Sequence, residues 1–510
     1  MTKDFYCREW RKYVPDPVCD AHPEYSELYE RAWELARDHV RSIDGMPQTP
    51  YMDEAFCDTQ VWIWDTCFMT LFCKYAQNVF PGIETLKNFY EVLHNGGHLA
   101  KINVPDGEPE WTGNKPGETA EIKICISDNP PLFAWAEYEN ALFHGDIDYV
   151  KDLLYNRRVL QKHYEWVENL REFRFFPGVR SQSRLINCDI GYKWEGGRSG
   201  MDNTPRGRVG EKADGDRPNN PNMLWIDAIC QQALSAKMIA ELAEKIGDTE
   251  LRDEWAEKYT EKKEIVNKYY WDENDGFYYD IDCNTHEFYK VMTIASYWTL
   301  ISGIASDGRA EEMVKRLCDP ALFNGEVPLI SLSKSDADYI ADGRYWRGSL
   351  WLPTAYATVK GLDGYGYFKE AREASVKVIE HMLRTYNQYV PHTIWECYSP
   401  EYAAPGRDAH DSEFARPDFC GWSALGPISM YIEYVLGFHK VDAFEKRVEW
   451  IHPDDSKGKV GIKNLRFGDV VTDIVSENGS CRVTSNAPYT LVINGREHQI
   501  SAGENIITLL

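Results

Sequence analysis

Between residues 23 and 438 helical patterns recur about twelve times, and a long polar loop follows every second one. The first is a stripe at i, i+3 and i+4 spacing, formed by Tyr25, Leu28, Tyr29, Ala32, Leu35, Ala36 and Val40. An almost fully apolar run follows after Trp64, then PGIETLKNFYEVLHNG, with Pro81 near its start and Gly96 after its end. NPPLFAWAEYENALFHG carries its prolines in the first turn. Further patterns cover 147–171, 220–246, 248–270, 290–304, 307–318, 348–361, 364–386 and 420–437. The loops fall near 50–64, 96–128, 172–219, 271–289, 320–347 and 387–419. NMLWIDAICQQALSAKMIA and GWSALGPISMYIEYVLG are apolar nearly all round, as helices enclosed by other helices must be. Six helix pairs with their loops on one side predict an all-α catalytic domain, an (α/α)6 toroid; no repeat of fixed period adds to the count.

Residues 1–22, with Pro15 and Pro17, read as an irregular arm, and 23–438 as the helical domain. After Phe438 the pattern alternates, in KVGIKNLRF, CRVTSNA, YTLVINGREHQI and ENIITLL. Asn494-Gly495 between β-type segments is a hairpin signal, so 439–510 is expected to form a small β-rich domain.

A formal charge of −25 argues against nucleic acid or an anionic membrane as partner, since both require basic surface. No stretch reaches eighteen apolar residues, and the charged MTKDFYCREWRKY start lacks a signal-like apolar run. The 13 cysteines are scattered without CxxC spacing, as reduced thiols in a cytoplasm would be. The histidines show no HExxH spacing, and neither a phosphate loop nor a dinucleotide fingerprint occurs. Asp272, Asp275 and Asp280 in WDENDGFYYD lack the terminal bidentate Glu of a calcium loop and read as a turn after a helix. No metal or cofactor is therefore expected.

Two loops stand out chemically. In WEGGRSGMDNTPRG, Gly196, Gly197, Gly200 and Pro205 oppose a helix interior, so the stretch presents Asp202 from a tight loop flanked by Trp194, Arg198 and Arg206. In TIWECYSPE, Glu396 lies between Trp395 and Tyr398. Hydrolysis of a glycosidic bond with inversion needs one carboxyl to protonate the leaving oxygen and another to activate water on the opposite face. An isolated carboxylate is ordinarily a solvated residue or a helix cap, and the residues alone leave the two readings balanced.

Six segments tip that balance. SGMDNTPR (199–206), TIWECYSPE (393–401), GRYWRGSLWLPTAY (343–356), WIWDTCF (62–68), NPPLFAW (129–135) and FCGWSALGPISMYIE (419–433) resemble, in the same order, segments of glycoside hydrolase family 63. More loosely they resemble family 37 trehalases. The subgroup most resembled is the small bacterial one, of the mannosylglycerate or glucosylglycerate hydrolase type, with no room before residue 23 for a large N-terminal β-domain.

The resemblance implies an inverting, exo-acting α-glycosidase that releases one hexose, most simply glucose, from a small α-glucoside. Asp202 would be the general acid and Glu396 the general base. Trp64 would stack on the sugar and Asp65 accept its hydroxyl hydrogen bonds. Asn129, Trp194, Arg206, Trp346, Arg347, Trp395, Tyr398 and Trp422 are further substrate-binding candidates, with Trp351 another cleft wall. Two departures bear on specificity: Asn129 stands where the family has Gln, and Cys397 replaces the Asn that follows the base. The loop at 96–128 has no counterpart. The expected partner is a small carbohydrate, and a homo-oligomer is compatible with the sequence. The alternatives are a sugar phosphorylase or epimerase on the same toroid, with Arg198, Arg206 and Arg347 as a phosphate pocket, or a non-catalytic carbohydrate-binding protein.

Overall fold

The computed structural model describes residues 3–44, 46–55, 60–91, 130, 132–172, 185–215, 218, 220–409, 413–453 and 457–509, with the backbone of short ribbons at 93–94, 97–98 and 101–103. Its helices are α1 (Tyr25–Asp38), α2 (Ile63–Cys73), α3 (Gly82–Glu91), α4 (Phe133–His144), α5 (Ile147–Lys151), α6 (Val159–Glu168), α7 (Gly196–Ser199), α8 (Ile226–Lys245), α9 (Thr249–Tyr269), α10 (Trp298–Ile301), α11 (Asp307–Cys318), α12 (Leu352–Gly364) and α13 (Phe368–Gln388). A wider-wound α14 (Gly426–Val435) follows the single turn Ser423–Leu425. The pattern at 290–304 shrinks to Ile294–Tyr297 and α10, because Gly303 in the left-handed region (φ 70°) ends the helix.

Burial separates two layers. All eleven residues of α2 are buried, and sixteen of the twenty in α8, against three of twenty-one in α9. A helix buried all round must be surrounded by others. Accordingly α2 touches α4, α4 touches α8, α8 touches α10 and α10 touches α12. From α12 the contacts pass to the 423–435 segment, which returns to α2. The more exposed helices lie outside: α3 on α2, α6 and α9 on α8, α13 on α12 and α14, α1 on α13 and α14.

The loops are not all irregular. Ile186–Asn187, Tyr192–Lys193, Met223–Leu224, Asp280–Asp282 and Phe288–Tyr289 form one five-stranded sheet that brackets the loop carrying Asp202. The 271–289 stretch thus supplies strands where a polar loop was expected. Asp272 accepts the backbone N–H groups of Asn274 and Asp275 (2.8 and 3.3 Å), an Asx turn between Trp271–Asp272 and Phe277–Tyr278.

After α14 the chain forms two sheets. Lys440–Asp442, Arg447–Trp450, Tyr489–Ile493 and Arg496–Ile500 make one. Val460–Phe467, Val470–Glu477, Ser480–Ser485 and Gly503–Thr508 make the other, joined at its edge by Asp16–Cys19. Asn494 and Gly495 form the expected hairpin, both at positive φ (48° and 80°), the twist a two-residue turn requires. The N-terminal arm differs from its irregular reading: Asp16–Cys19 pairs with Val460–Lys463, and its Pro17 is tolerated because the strand is an edge. No described helix is long and apolar enough to cross a membrane.

Candidate active site

Asp202 lies between α7 and the single turn Pro205–Gly207. The loop is tied locally: Ser199 Oγ donates to Gly196 O (2.9 Å) and accepts the Met201 N–H (3.2 Å). Its glycines have steric reasons. Gly200 stands at φ 84°, and a Cβ there would lie 3.0 Å from the Trp64 ring, while one on Gly196 would meet Asp202 O at 2.7 Å. Asn203, fully buried, crosses to the 343–351 segment. Its Oδ1 accepts the Trp346 N–H (2.8 Å), its Nδ2 donates to Arg344 O (3.2 Å), and its carbonyl accepts from Arg347 Nε (3.3 Å).

Glu396 is 2% exposed. Tyr345 Oη donates to its Oε1 at 2.8 Å, and the Arg416 N–H approaches its Oε2 at 3.3 Å. Its backbone carbonyl accepts from Trp422 Nε1 (2.8 Å) and Ser423 Oγ (3.1 Å). Burial pushes its carboxyl up to about 7; the Tyr345 hydroxyl and the Arg416 N–H and charge pull the other way, and the charge of Asp202 adds to the rise. Asp65, in the first turn of α2, is displaced upward by burial and by the charges of Glu396 and Asp202. Three carboxyl groups from three separate segments therefore converge closely enough to feel one another.

An aromatic frame holds Glu396. The Tyr345 ring stands edge-on to Trp351 (4.6 Å, 87°), and Trp351 stacks on Trp346 (4.3 Å, 3°) and leans on Trp422 (5.7 Å). Several expected roles change accordingly. Trp346 is 1% exposed inside this stack, and Tyr398 is fully buried with its hydroxyl accepting the Trp395 N–H (3.1 Å), so both are packing elements rather than cleft walls. Trp422 and Trp351 belong to the same frame.

Arg206 is corrected too. It is fully buried, bonds Asp227 (2.7 and 2.9 Å) and Asp280 (2.9 and 2.6 Å), and lies over the Trp225 ring (4.5 Å). With every fork of the guanidinium occupied by buried carboxylates, it anchors the loop and offers no sugar a donor. Arg347 is held by Asn203 O and Gly215 O (2.6 Å), clamping two loops. Trp64, Trp194 and Trp395 keep the expected role open, for each is buried with an indole N–H that meets no acceptor among the described residues. Asn129 lies outside the described residues, as does most of the 96–128 loop. Tyr345, Asn203 and Arg416 were not anticipated; Tyr345 stands within a quoted segment, but its left-handed backbone (φ 56°) has no local sequence signal.

The opposite ends of the same helices enclose a cavity of about 390 Å³. Its buried charges answer one another: Lys74 bonds Glu139 and Glu433 (both 2.9 Å), Lys360 reaches the same pair (3.4 and 3.5 Å), and His439 meets Asp363 (3.0 Å).

The sequence profile of the "Mannosylglycerate hydrolase MGH1-like glycoside hydrolase domain" matches residues 87–415. An uncharacterised protein of Borreliella burgdorferi is 28% identical over 442 residues, 84% of this chain and 83% of that one. A periplasmic trehalase of Escherichia coli is 22% identical over 453 residues, 82% of this chain and 74% of that one. Among solved structures, the GH63 mannosylglycerate hydrolase from Thermus thermophilus in complex with glucose superposes with TM-score 0.58 at 16% identity, over 79% of this chain and 99% of that one. A structure described as a sialidase superposes over 98% of this chain with TM-score 0.68 at 13% identity; the match spans 42% of its length.

Proposed function

The chain belongs to the mannosylglycerate hydrolase MGH1-like glycoside hydrolases, and from that membership we propose that it is an inverting, exo-acting α-glycosidase releasing one hexose from a small α-glucoside. In this reading the closed cycle of inner helices is an (α/α)6 toroid and 439–510 a packed β-rich domain. Asp202 is the general acid and Glu396 the general base; Asp65 and Trp64 hold the sugar. One observation carries the assignment: Tyr345 donates to the buried Glu396, and the residues on either side of Tyr345 bond Asn203, the chain neighbour of Asp202.

A base of raised pKa is a stronger proton acceptor, so a poised Glu396 suits water activation near neutral pH. Two arginines considered for a phosphate pocket, Arg206 and Arg347, are committed to loop anchoring, which favours hydrolysis over phosphorolysis. The relatives' names make trehalose and mannosylglycerate the first substrates to try.

The test is proton NMR of the first-formed sugar with a panel of α-glucosides, α-mannosides and glycosylglycerates. A β-anomer released from an α-glycoside is expected; an α-anomer refutes inversion. Asp202→Asn and Glu396→Gln should each reduce turnover by roughly 10²–10⁴-fold. Near-normal turnover in either variant shows that the wrong carboxyl was chosen.

A further inference from the structure

Tyr345 reaches Glu396 from a strained turn. The Arg347 N–H closes that turn on Arg344 O at 3.1 Å, and Tyr345, its second residue, stands in the left-handed region (φ 56°). Such a backbone is costly for a tyrosine and persists only where its surroundings hold it. Trp351 Nε1 donates to the Tyr345 carbonyl (3.2 Å), and the Tyr345 N–H goes to Arg407 O (2.9 Å). The peptide groups on either side are taken by the fully buried Asn203. Its Oδ1 accepts the Trp346 N–H (2.8 Å) and its Nδ2 donates to Arg344 O (3.2 Å). Arg347 Nε adds a third bond, to the Asn203 carbonyl (3.3 Å). A side-chain amide carries an acceptor and a donor on separate arms without charge, so one residue can grip both flanks of Tyr345.

We propose that Asn203 sets the spacing of the acid–base pair: its amide fixes Tyr345, and through it Glu396, against the loop that carries Asp202. The proposal rests on Asp202 and Glu396 being that pair. The path between them is short. Asn203 directly follows Asp202 in the chain, its amide brackets Tyr345, and Tyr345 Oη donates to Glu396 Oε1 at 2.8 Å. Inversion needs the two carboxyl groups held about 6.5–9.5 Å apart, with room for one water. A misplacement of roughly 1 Å costs about 10²-fold in rate. Besides Tyr345, the groups facing Glu396 are Arg416, Asp202, Asp65 and the Cys397 thiol. Asn203 is neutral, so a neutral replacement leaves the number of those charges unchanged and acts on Glu396 through Tyr345. Asn203 is a positioning residue.

The experiment is a double-mutant cycle of Asn203→Ala with Tyr345→Phe, read as pH profiles of kcat and KM on a cleaved α-glycoside. Asn203→Ala should lower kcat by about 10²-fold while KM changes far less. It should also move the acid limb of kcat/KM toward alkaline pH, because Glu396 loses a hydroxyl that favours its charged form. In the Tyr345→Phe background that hydroxyl is already gone, so adding Asn203→Ala should move the limb no further. A limb that Asn203→Ala leaves in place, shifts that add in the double variant, or a loss confined to KM each overturn the proposal. If the alanine variant does not fold, Asn203→Ser, which leaves room for water to meet the two backbone groups, takes its place in the cycle. Turnover persisting in Asp202→Asn or Glu396→Gln instead overturns the acid–base assignment; with both inactive, a failed cycle counts against Asn203 alone.

Discussion

Tyr345→Phe removes one hydroxyl and little else. The ring is held edge-on to Trp351, whose Nε1 donates to Tyr345 O at 3.2 Å, so the phenyl group keeps its place. What is lost is the 2.8 Å hydrogen bond to Glu396 Oε1. That bond favours the charged carboxylate, so its loss raises the carboxyl pKa. A hydrogen bond to a charged group contributes about 1.5–3 kcal/mol, or roughly 1–2 pKa units. Starting from about 7, the Glu396 carboxyl would move to roughly 8–9. A general base works only when ionised, so the acid limb of kcat/KM moves by the same amount toward alkaline pH. At neutral pH the ionised fraction falls from about one half to roughly one-tenth or less, and kcat/KM falls by about 5–50-fold. Activity should recover as pH is raised. The assay is the full pH profile of kcat/KM for a cleaved α-glycoside, with circular dichroism confirming the fold. An acid limb that stays put or moves toward acid, or a loss equal at every pH, refutes the reasoning.

Two further predictions concern stability. Arg206→Met leaves Asp227 and Asp280 buried without their cation, and urea denaturation should show a loss of about 3–5 kcal/mol; an unchanged midpoint refutes the anchoring role. Although burial opposes it, Lys360 and Lys74 hold Glu139 at about 2, below its ordinary 4.5. The stabilisation this represents, about 3 kcal/mol, is present above pH 4.5 and lost as pH falls toward 2. Glu139→Gln should therefore flatten the melting temperature across that acid range, and an acid dependence identical to wild type counts against the pairing.

The two carboxyls proposed for catalysis stand in stretches whose turn residues rule out a long helix, a property confined to a dozen neighbouring residues, though Gly196–Ser199 still closes the single turn α7. Helix positions were legible for the same reason: apolar spacing within three or four turns decides α2, α8 and α11. The roles of the arginines and aromatics were not. Arg206 looked like a substrate ligand because its partners lie 21 and 74 residues away, and nothing near it announces them. Trp346 and Trp64 carry equal sequence weight, yet one closes a stack and the other packs beside Gly200 with a spare indole donor. Tyr345 gave no local signal, since it reaches Glu396 from a left-handed turn.

By itself, then, the sequence determined where the chain coils, where it turns and which carboxyls stand in loops, since periodicity and turn chemistry act over a few residues. Only the tertiary structure decided which charges are spent on each other, as Arg206 is on Asp227 and Asp280, and which remain near a substrate. The reason is physical. A polar group's free energy depends on its burial and its partners, and both are set by segments that meet only when the fold closes.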